Sequence, residues 1–369
     1  MSCKASDTSP RSGAVQIRLT TTDGIETVVV AEAGQSVVEA AKAVDVILPS
    51  LCGKGTCGTC VAQVTSGQYD LRPFEDDALG ASAPEGSVLM CCAEPTGDLD
   101  VALPFDSSKL VLQAPAERVG TLAALDHLTE HIVKVTVQLE ADDVLGSAAE
   151  FEAGQYMQIE IPDSDEGGER VLRAYSMANV SNWDGTLEFL IHIREGGQFS
   201  NYLAERAAVG DRLPLVGPQG TFALEENGMR PRWFVGGGCG LAPLLSMMRR
   251  MAEWGDPQET RLVLGVNTAA DVFGSDDIGE LLDQMPELGV TIAIWQPETG
   301  LTGPDDRFEY VGGSAVDVLT GGLSAIEDED LVPDIYVCGP PGMVTALEAA
   351  TAEVGVSAER VHTERISAN

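Results

Sequence analysis

The stretch Cys52-Gly-Lys-Gly-Thr-Cys57-Gly-Thr-Cys60, with two further thiols at Cys91-Cys92, decides the fold of the N-terminal part of the chain. Gaps of four and then two residues separate the first three cysteines. This is the plant-type spacing in which four thiolates hold the two irons of a [2Fe–2S] cluster. The three glycines of the stretch let the backbone wrap closely and turn its N–H groups toward sulfur. Zinc ribbons usually pair two Cys-x-x-Cys knuckles, whereas this chain has one, so iron is the better prediction.

Two adjacent cysteines compete for the fourth ligand position. The surrounding sequence resembles the ferredoxin domain of soluble methane monooxygenase reductases, in which a single cysteine follows two apolar residues in a strand. That resemblance implies that Cys91 is the ligand and that Cys92 and Cys3 are spare thiols. The implied metal ligands are Cys52, Cys57, Cys60 and Cys91.

The flanking sequence predicts strands and one helix around this loop. Val15–Thr20 and residues 27–30 are rich in β-branched residues and flank an Asp-Gly turn, which predicts a β-hairpin. Ser36 and Glu39 have the spacing of a capping box, which predicts a helix over residues 37–44. Residues 98–104 alternate like a closing strand. Together with the resemblance, these elements predict a β-grasp ferredoxin domain over residues 14–105 and a linker over residues 106–115.

The middle segment alternates as an all-β domain does, with turn residues between short strands. Strands are predicted at residues 131–140, 155–161, 171–177, 186–193 and 212–216. The all-β pattern begins at Ala116, and a total of six short strands, of which these five are delimited, together with one helix predicts a small antiparallel barrel over residues 116–227.

Three motifs in this segment carry the cofactor prediction. Arg173-Ala-Tyr175-Ser176 offers a cation, an aromatic face and a hydroxyl, although alone it is more typical of an exposed strand. His192-Ile-Arg194-Glu-Gly-Gly197-Gln-Phe199-Ser200 leads from a strand into a helix whose free N–H groups suit phosphate, and Gly217-Pro-Gln-Gly220-Thr-Phe222 closes the segment. Together they resemble the FAD domain of the ferredoxin–NADP reductase superfamily. The resemblance implies pyrophosphate contacts from Arg173 and Ser200, isoalloxazine contacts from Tyr175 and Ser176, and supporting positions at His192, Arg194, Gly197, Phe199, Gly220 and Phe222.

Strands and helices alternate in the last part of the chain, which predicts a Rossmann-like parallel sheet over residues 228–369. A strand from residue 233 runs through Gly236-Gly237-Gly238-Cys239-Gly240 into a helix that contains Pro243. Such a turn lets a dinucleotide pyrophosphate approach the backbone, although a structural turn would look the same.

A second motif, Cys338-Gly339-Pro340-Pro341-Gly342-Met343, again lies between a strand and a helix. The pair of motifs resembles the nicotinamide domain of the same superfamily. The resemblance implies that Cys338 lies near the nicotinamide carbon that gives up hydride, with a buried structural cysteine as the alternative. Two departures stand out, since Cys239 replaces a common Thr and the C-terminal strand lacks the usual aromatic residues. The implied catalytic residues are Ser176, Cys338 and Glu364, and the implied nucleotide contacts are Gly237, Gly238, Cys239, Gly240, Pro243, Cys338, Gly339, Pro340, Pro341, Gly342 and Met343.

The net charge of the chain limits the classes of molecule that it is expected to bind. The chain has 58 acidic and 22 basic residues, a formal net charge of −36, which argues against nucleic acid and anionic membrane. The acidity suits either salt adaptation or docking to a basic partner. No basic residue occurs between Arg261 and Arg307, so NADH is expected rather than NADPH unless a loop elsewhere in the chain supplies a cation. No apolar run reaches a membrane-spanning length and the first residues are polar, which predicts a cytoplasmic protein.

The order ferredoxin, FAD domain, NAD domain over residues 14–366 resembles reductase components of soluble di-iron monooxygenases. That resemblance implies an NADH:acceptor oxidoreductase that passes electrons from NADH through FAD and the [2Fe–2S] cluster to a separate hydroxylase component. The reductase of a Rieske-type ring-hydroxylating dioxygenase is the nearest alternative. A redox-responsive binding protein is an alternative of another class.

Overall fold

The computed structural model describes residues 14–75, 78–79, 83–84, 86–110, 115–161, 170–297 and 301–366. The chain divides into two compact units, residues 1–114 and 115–369. Cys3 and residues 111–114 of the predicted linker lie outside the described residues. The domain boundaries drawn from the sequence stay predictions.

The N-terminal unit is built on a five-stranded sheet with one helix. Its elements are β1 (Val15–Thr20), β2 (Glu26–Ala31), α1 (Val37–Lys42), β3 (Val61–Leu71), β4 (Ser87–Leu89) and β5 (Ala93–Ala102). The strand order is β2-β1-β5-β3-β4, and β1 and β5 pair in parallel while the other pairs are antiparallel. The predicted hairpin and the β-grasp arrangement are confirmed.

The start of α1 follows the predicted capping box. The Ser36 hydroxyl accepts from the Glu39 N–H at 3.3 Å, and the Glu39 carboxylate accepts from the Ser36 N–H at 2.7 Å. Both bonds satisfy N–H groups that the first turn of a helix leaves without partners. The helix ends at Lys42, two residues before the predicted end at Val44.

The C-terminal unit begins with a six-stranded antiparallel barrel. Its elements are β6 (Glu117–His127), β7 (Ile132–Leu139), β8 (Tyr156–Glu160), β9 (Leu172–Ser176), β10 (Thr186–His192), α2 (Gln198–Glu205) and β11 (Arg212–Gln219). The order is β10-β7-β6-β11-β8-β9, and a bridge between Met177 and Phe189 joins the two outer strands. The predicted barrel is confirmed.

A six-stranded parallel sheet follows, with helices on both faces. Its elements are β12 (Arg232–Gly237), α3 (Leu241–Trp254), β13 (Thr260–Val266), α4 (Ser275–Gln284), β14 (Leu288–Ile294), β15 (Glu309–Gly312), α5 (Ala315–Ser324), β16 (Asp334–Gly339), α6 (Pro341–Glu353) and β17 (Val361–Arg365). The order is β15-β14-β13-β12-β16-β17. The sheet is the predicted one, but β15 was not foreseen because it is a four-residue edge strand without a buried side chain.

The barrel and the parallel sheet share one hydrophobic core. Leu190 and Phe222 of the barrel segment pack with Phe234 on β12 and with Leu244 and Met247 on α3. The opposite face of the sheet buries a separate cluster beneath α5 and α6. Strand order reverses between β12 and β16, so the loops after these strands meet where ligands bind in open parallel sheets. No helix in the described part of the chain is both long and apolar enough to span a membrane.

Candidate functional site

The cluster loop lies between α1 and β3, and its thiols converge. Cys60 directly precedes β3, and Cys91 follows β4 in the neighbouring hairpin. The sulfurs of Cys60 and Cys91 are 3.2 Å apart, and Cys57 and Cys91 are the neighbours that most affect the pKa of Cys52. The Cys60 and Cys91 sulfurs thus lie together beside the loop that carries Cys52 and Cys57, and the ligand set of four thiols stays a prediction.

Hydrogen bonds favour negative charge on the first of these thiols. Those from Cys57 and Cys91 lower the pKa of Cys52 most, and those from the Thr56 side chain and the Lys54 backbone N–H lower it further. The N–H groups of Lys54 and Thr56 lie 3.4 and 3.3 Å from the Cys52 sulfur. Donation to Cys52 raises the pKa of Cys57 and of Cys91. N–H groups that point at sulfur suit a thiolate ligand.

The spare thiol Cys92 faces another part of the same loop. Its sulfur lies 3.7 Å from that of Cys91 and 3.9 Å from the Pro73 carbonyl oxygen. Gly55 has a φ of +74°, and a Cβ there would lie 2.5 Å from the Phe74 Cβ and 2.6 Å from the Cys92 sulfur. The loop therefore packs directly on Cys92, which fits a packing role, and the choice of Cys91 as ligand stays a prediction.

The first half of the second site lies on β9. Its strand carries Arg173, Tyr175 and Ser176, all partly exposed. Arg173 donates to the Gln198 side-chain oxygen at 3.2 Å at the start of α2. The Tyr175 ring lies 5.3 Å from that of Phe199, centroid to centroid. A cation, an aromatic face and a hydroxyl thus occupy one edge of the barrel, which is the donor set that the resemblance assigns to FAD.

The start of α2 offers unused backbone donors. No side chain in the described part of the chain caps this helix at Gly197. The Ser200 hydroxyl accepts from the Arg194 N–H at 3.0 Å and donates to the His192 carbonyl at 3.4 Å, which holds the preceding turn against the helix. Free N–H groups beside Arg173 and Arg194 suit a diphosphate.

Two aromatic residues that were predicted to contact FAD, Phe199 and Phe222, are buried in the hydrophobic core. Phe199 is buried between Tyr175 and Tyr202, and the buried ring of Phe222 packs at 6.3 Å from Tyr336. Both are core residues in this structure, and their roles toward FAD stay predictions. Two further positions predicted to support FAD are Gly220 and His192. Gly220 lies against the Tyr156 ring, whereas the His192 side chain is exposed.

The second half of the site joins the two glycine turns of the parallel sheet. Gly237 ends β12, and Gly238, Cys239 and Gly240 form a short 3-10 turn before α3, which contains Pro243. Cys338 and Gly339 end β16, Pro340 precedes α6, and Pro341, Gly342 and Met343 form its first turn.

These two turns lie in van der Waals contact. A Cβ on Gly240 would lie 2.0 Å from the Cys338 carbonyl oxygen, and one on Gly237 would lie 2.7 Å from the Met343 sulfur. Glycine is therefore required for the close approach. The N-terminus of α3 has no side-chain cap at Gly240, so its N–H groups remain for a pyrophosphate.

The three predicted catalytic residues come together across the barrel and the sheet. The Ser176 hydroxyl on β9 donates to the Glu364 carboxylate on β17 at 3.4 Å, and Glu364 pairs in register with Cys338 on β16. Burial raises the pKa of Glu364 to about 8. Burial above all, and then the neighbouring Glu364 and Cys239, raise the pKa of Cys338. All three side chains are thus neutral near neutrality and line one junction.

Cys239 lies at the same junction, near Tyr175 and Arg194. Burial raises the pKa of its thiol to about 12, and Arg194 opposes that shift. Burial also raises the pKa of Tyr175, where Cys239 contributes in the same direction. The residue that departs from the family pattern therefore lies among Tyr175, Arg194 and Cys338, between the two predicted halves of the site.

A four-charge cluster joining the barrel and the sheet was missed by sequence reasoning. Arg249 on α3 donates to the Glu188 carboxylate at 3.2 Å and to Asp277 on α4 at 2.5 Å. Lys134 on β7 lies 2.9 Å from Asp277 and 3.3 Å from Glu188. Arg249 also donates to the Ala178 carbonyl at 2.9 Å. No motif marks these residues, because their pairing depends on how the barrel packs on the sheet.

Three family models match the chain, one for each of the three sheets and in the same order along the sequence. They describe a 2Fe-2S iron-sulfur cluster binding domain at residues 20–96, an oxidoreductase FAD-binding domain at residues 121–224 and an oxidoreductase NAD-binding domain at residues 234–349. The predicted cofactors, a [2Fe–2S] cluster, FAD and a nicotinamide dinucleotide, are confirmed at the level of these domains.

Whole-chain comparisons agree. The chain is 35% identical over 269 residues to methane monooxygenase component C of Methylosinus trichosporium, covering 72% of this chain and 75% of that protein. It is 30% identical to the toluate 1,2-dioxygenase electron transfer component of Pseudomonas putida, covering 94% and 97%. A solved Amycolatopsis cytochrome P450 reductase matches with a TM-score of 0.69 and 28% identity, covering 95% and 98%. The chain belongs to the family of FAD- and [2Fe–2S]-containing oxidoreductases that serve as reductase components of multicomponent oxygenases.

Proposed function

We propose that this chain is the NADH-dependent reductase of a di-iron monooxygenase system. In this proposal electrons enter at the junction of the barrel and the parallel sheet and leave from the N-terminal unit toward a separate hydroxylase. The observation that carries the entry point is the meeting of Ser176, Cys338 and Glu364 within one site of the C-terminal unit.

The residues at this junction have distinct roles. Bound FAD would take two electrons as hydride from NADH and release them singly to the iron–sulfur cluster. Tyr175 and Ser176 would position the flavin ring, while Arg173 and the N-terminus of α2 would hold its diphosphate. Cys338 and Glu364 remain uncharged in their buried positions. They would exclude water and keep charge away from the transferring hydride.

The choice of NADH is supported by charge. An NADPH site needs a cation for the 2′-phosphate beyond the second strand of the sheet. The sequence after β13 instead contains Asp271, Asp276 and Asp277 and has no lysine or arginine before Arg307. We expect kcat/KM for NADH to exceed that for NADPH by roughly a hundredfold, and a ratio near one would contradict the proposal.

The proposal also names the class of oxygenase that accepts the electrons, a di-iron hydroxylase. Identity to methane monooxygenase component C is 35%, against 30% for the toluate dioxygenase component. The sequence around the cluster loop resembles the methane monooxygenase type as well. A Rieske-type oxygenase is the second candidate, because the toluate dioxygenase component matches over 94% of this chain.

A reconstitution experiment distinguishes the two partners. The purified chain is mixed with NADH and either a purified methane monooxygenase hydroxylase or a purified toluate dioxygenase oxygenase, and hydroxylated product is measured. We expect faster product formation with the di-iron hydroxylase. Faster turnover with the Rieske oxygenase would reverse the assignment.

A redox-sensing role makes a different prediction. A sensor would not turn over NADH continuously, whereas a reductase reduces an added acceptor many times. Steady NADH-dependent reduction of cytochrome c by the isolated chain is expected, and its absence with FAD and cluster present would favour sensing.

A further inference from the structure

We infer that Trp295 forms the adenine-binding face of the dinucleotide site. The inference rests on the proposed use of NADH and concerns the half of that molecule for which the motifs assign no side-chain contact. It begins from the order of the strands and from one exposed aromatic residue at their carboxyl ends.

The strand order fixes the direction in which a dinucleotide extends. The glycine turn at residues 237–240 follows β12, which lies between β13 and β16. Cys338 and Glu364, at the proposed nicotinamide end, lie on β16 and β17 to one side of that turn. With its pyrophosphate at the turn, an extended dinucleotide must place its adenosine on the other side, over the carboxyl ends of β13 and β14.

Trp295 is held at that edge by backbone pairing. Its N–H donates to the Val266 carbonyl at 2.9 Å, and the next N–H, of Gln296, donates to the Asn267 carbonyl at 2.8 Å. These bonds continue the pairing of β14 with β13 past the end of β14 at Ile294. Neighbouring strands lie roughly 4.8 Å apart, so Trp295 lies about two strand spacings from the glycine turn, in the direction that the adenosine takes.

The side chain of Trp295 is available for stacking. It is 59% exposed, and within the described ranges neither a ring nor a cation stacks against it. Trp254 is similarly exposed, but the Arg250 guanidinium covers its ring at 4.4 Å. An uncovered indole at a nucleotide-binding edge suits a purine, because aromatic side chains stack on bases without needing a specific hydrogen-bond pattern.

The charges in the sequence around Trp295 also suit a dinucleotide without a 2′-phosphate. Residues 262–306 contain no lysine or arginine, and the cations that other elements bring to the start of α4, Lys134 and Arg249, are paired with Asp277. Stacking of adenine on Trp295 would therefore provide affinity at this end of the dinucleotide, where an NADPH site would use an ion pair with the 2′-phosphate. The ligand class is an adenosine diphosphate moiety without a 2′-phosphate.

Two ligand fragments test the inference on the full FAD- and cluster-loaded protein. ADP carries the adenosine and pyrophosphate, whereas reduced nicotinamide mononucleotide carries the hydride donor without adenosine. Binding of ADP is measured by isothermal titration calorimetry for the native protein, Trp295→Leu and Trp295→Phe. Trp183→Leu is the matched control, because Trp183 is 85% exposed in the barrel segment, away from this edge.

We expect Trp295→Leu to raise the Kd for ADP roughly tenfold, in line with the loss of one base-stacking contact. Trp295→Phe should restore most of the affinity, and Trp183→Leu should match the native protein. The rate of flavin reduction by reduced nicotinamide mononucleotide should be the same in all variants. An unchanged Kd for ADP in Trp295→Leu would overturn the inference, and so would an equal loss with both fragments, which would indicate a general disturbance of the sheet.

Failure of the proposed function would look different. If NADH does not bleach the flavin of the native protein, the reductase assignment fails whatever Trp295 binds. If NADH bleaches the flavin equally well at low concentration in native protein and Trp295→Leu, only the adenine assignment fails.

Discussion

The two redox sites of this chain are built in opposite ways. Three of the four predicted cluster ligands come from nine consecutive residues, Cys52 to Cys60, and the fourth, Cys91, follows β4. The proposed hydride site gathers Ser176, Cys338 and Glu364 from three strands, with the second and third residues 162 and 188 positions after the first. The cluster site therefore depends on local backbone geometry, whereas the hydride site depends on how the barrel packs on the parallel sheet.

The largest expected effect separates the two adjacent thiols of the cluster site. Cys91→Ser should abolish the [2Fe–2S] cluster, because the Cys91 sulfur lies 3.2 Å from that of Cys60, another predicted ligand. Cys92→Ser should keep it, since the Cys92 sulfur faces the Pro73 carbonyl. Iron and acid-labile sulfide per chain, with visible absorbance, measure the outcome. Cluster retention in Cys91→Ser would show that the ligand assignment is wrong.

The next effect concerns the contact between the glycine turns. Gly240→Ala should raise KM for NADH at least tenfold and lower Tm, because its Cβ would lie 2.0 Å from the Cys338 carbonyl oxygen and overpacking costs about 1–3 kcal/mol. Gly321→Ala on α5 is the control, as a Cβ there would meet nothing within 4 Å. Equal behaviour of the two variants would contradict the required close approach.

Glu364 makes the stability of the C-terminal unit depend on pH near neutrality. Burial raises its pKa from 4.5 to about 8, so between these values the folded protein holds a proton that the unfolded chain releases. The free energy of unfolding should therefore fall as pH rises through this range. Glu364→Gln cannot ionise and should show a smaller fall in chemical denaturation at pH 5 to 8. Parallel pH profiles for the two proteins would show that Glu364 titrates normally.

The smallest of these effects tests the four-charge cluster. Arg249→Leu should cost about 2 kcal/mol of stability, because it leaves the partly buried carboxylates of Glu188 and Asp277 short of a partner. It should also slow flavin reduction by NADH. Arg250→Leu, which removes an exposed pair with Glu253, should cost under about 1 kcal/mol. Similar losses in both variants would argue against a specific link between barrel and sheet.

Features that depend on a few neighbouring residues could be predicted from the sequence. Cysteine spacing, the Ser36 capping box and the two glycine turns each follow from a few neighbouring residues, and each element forms where the pattern predicted it. The same patterns could not show which cysteine of an adjacent pair faces the other thiols.

Features that depend on packing between distant elements were not predictable. The Arg249 cluster needs α3 to lie against β10 of the barrel, and the four-residue strand β15 pairs only at the edge of the sheet. Phe199 and Phe222 matched a cofactor motif, yet both rings are buried in the core. A motif gives a side chain's position along the chain but not the surface that it faces.

The central claim is that electrons enter at the hydride site and reach the cluster only through FAD. The direct measurement is an anaerobic NADH titration of the full chain, with flavin absorbance and the electron paramagnetic resonance of the cluster followed together, in native and FAD-depleted protein. We predict that NADH bleaches the flavin and reduces the cluster in native protein, and that the cluster of FAD-depleted protein stays oxidised. Cluster reduction by NADH without FAD would contradict the account.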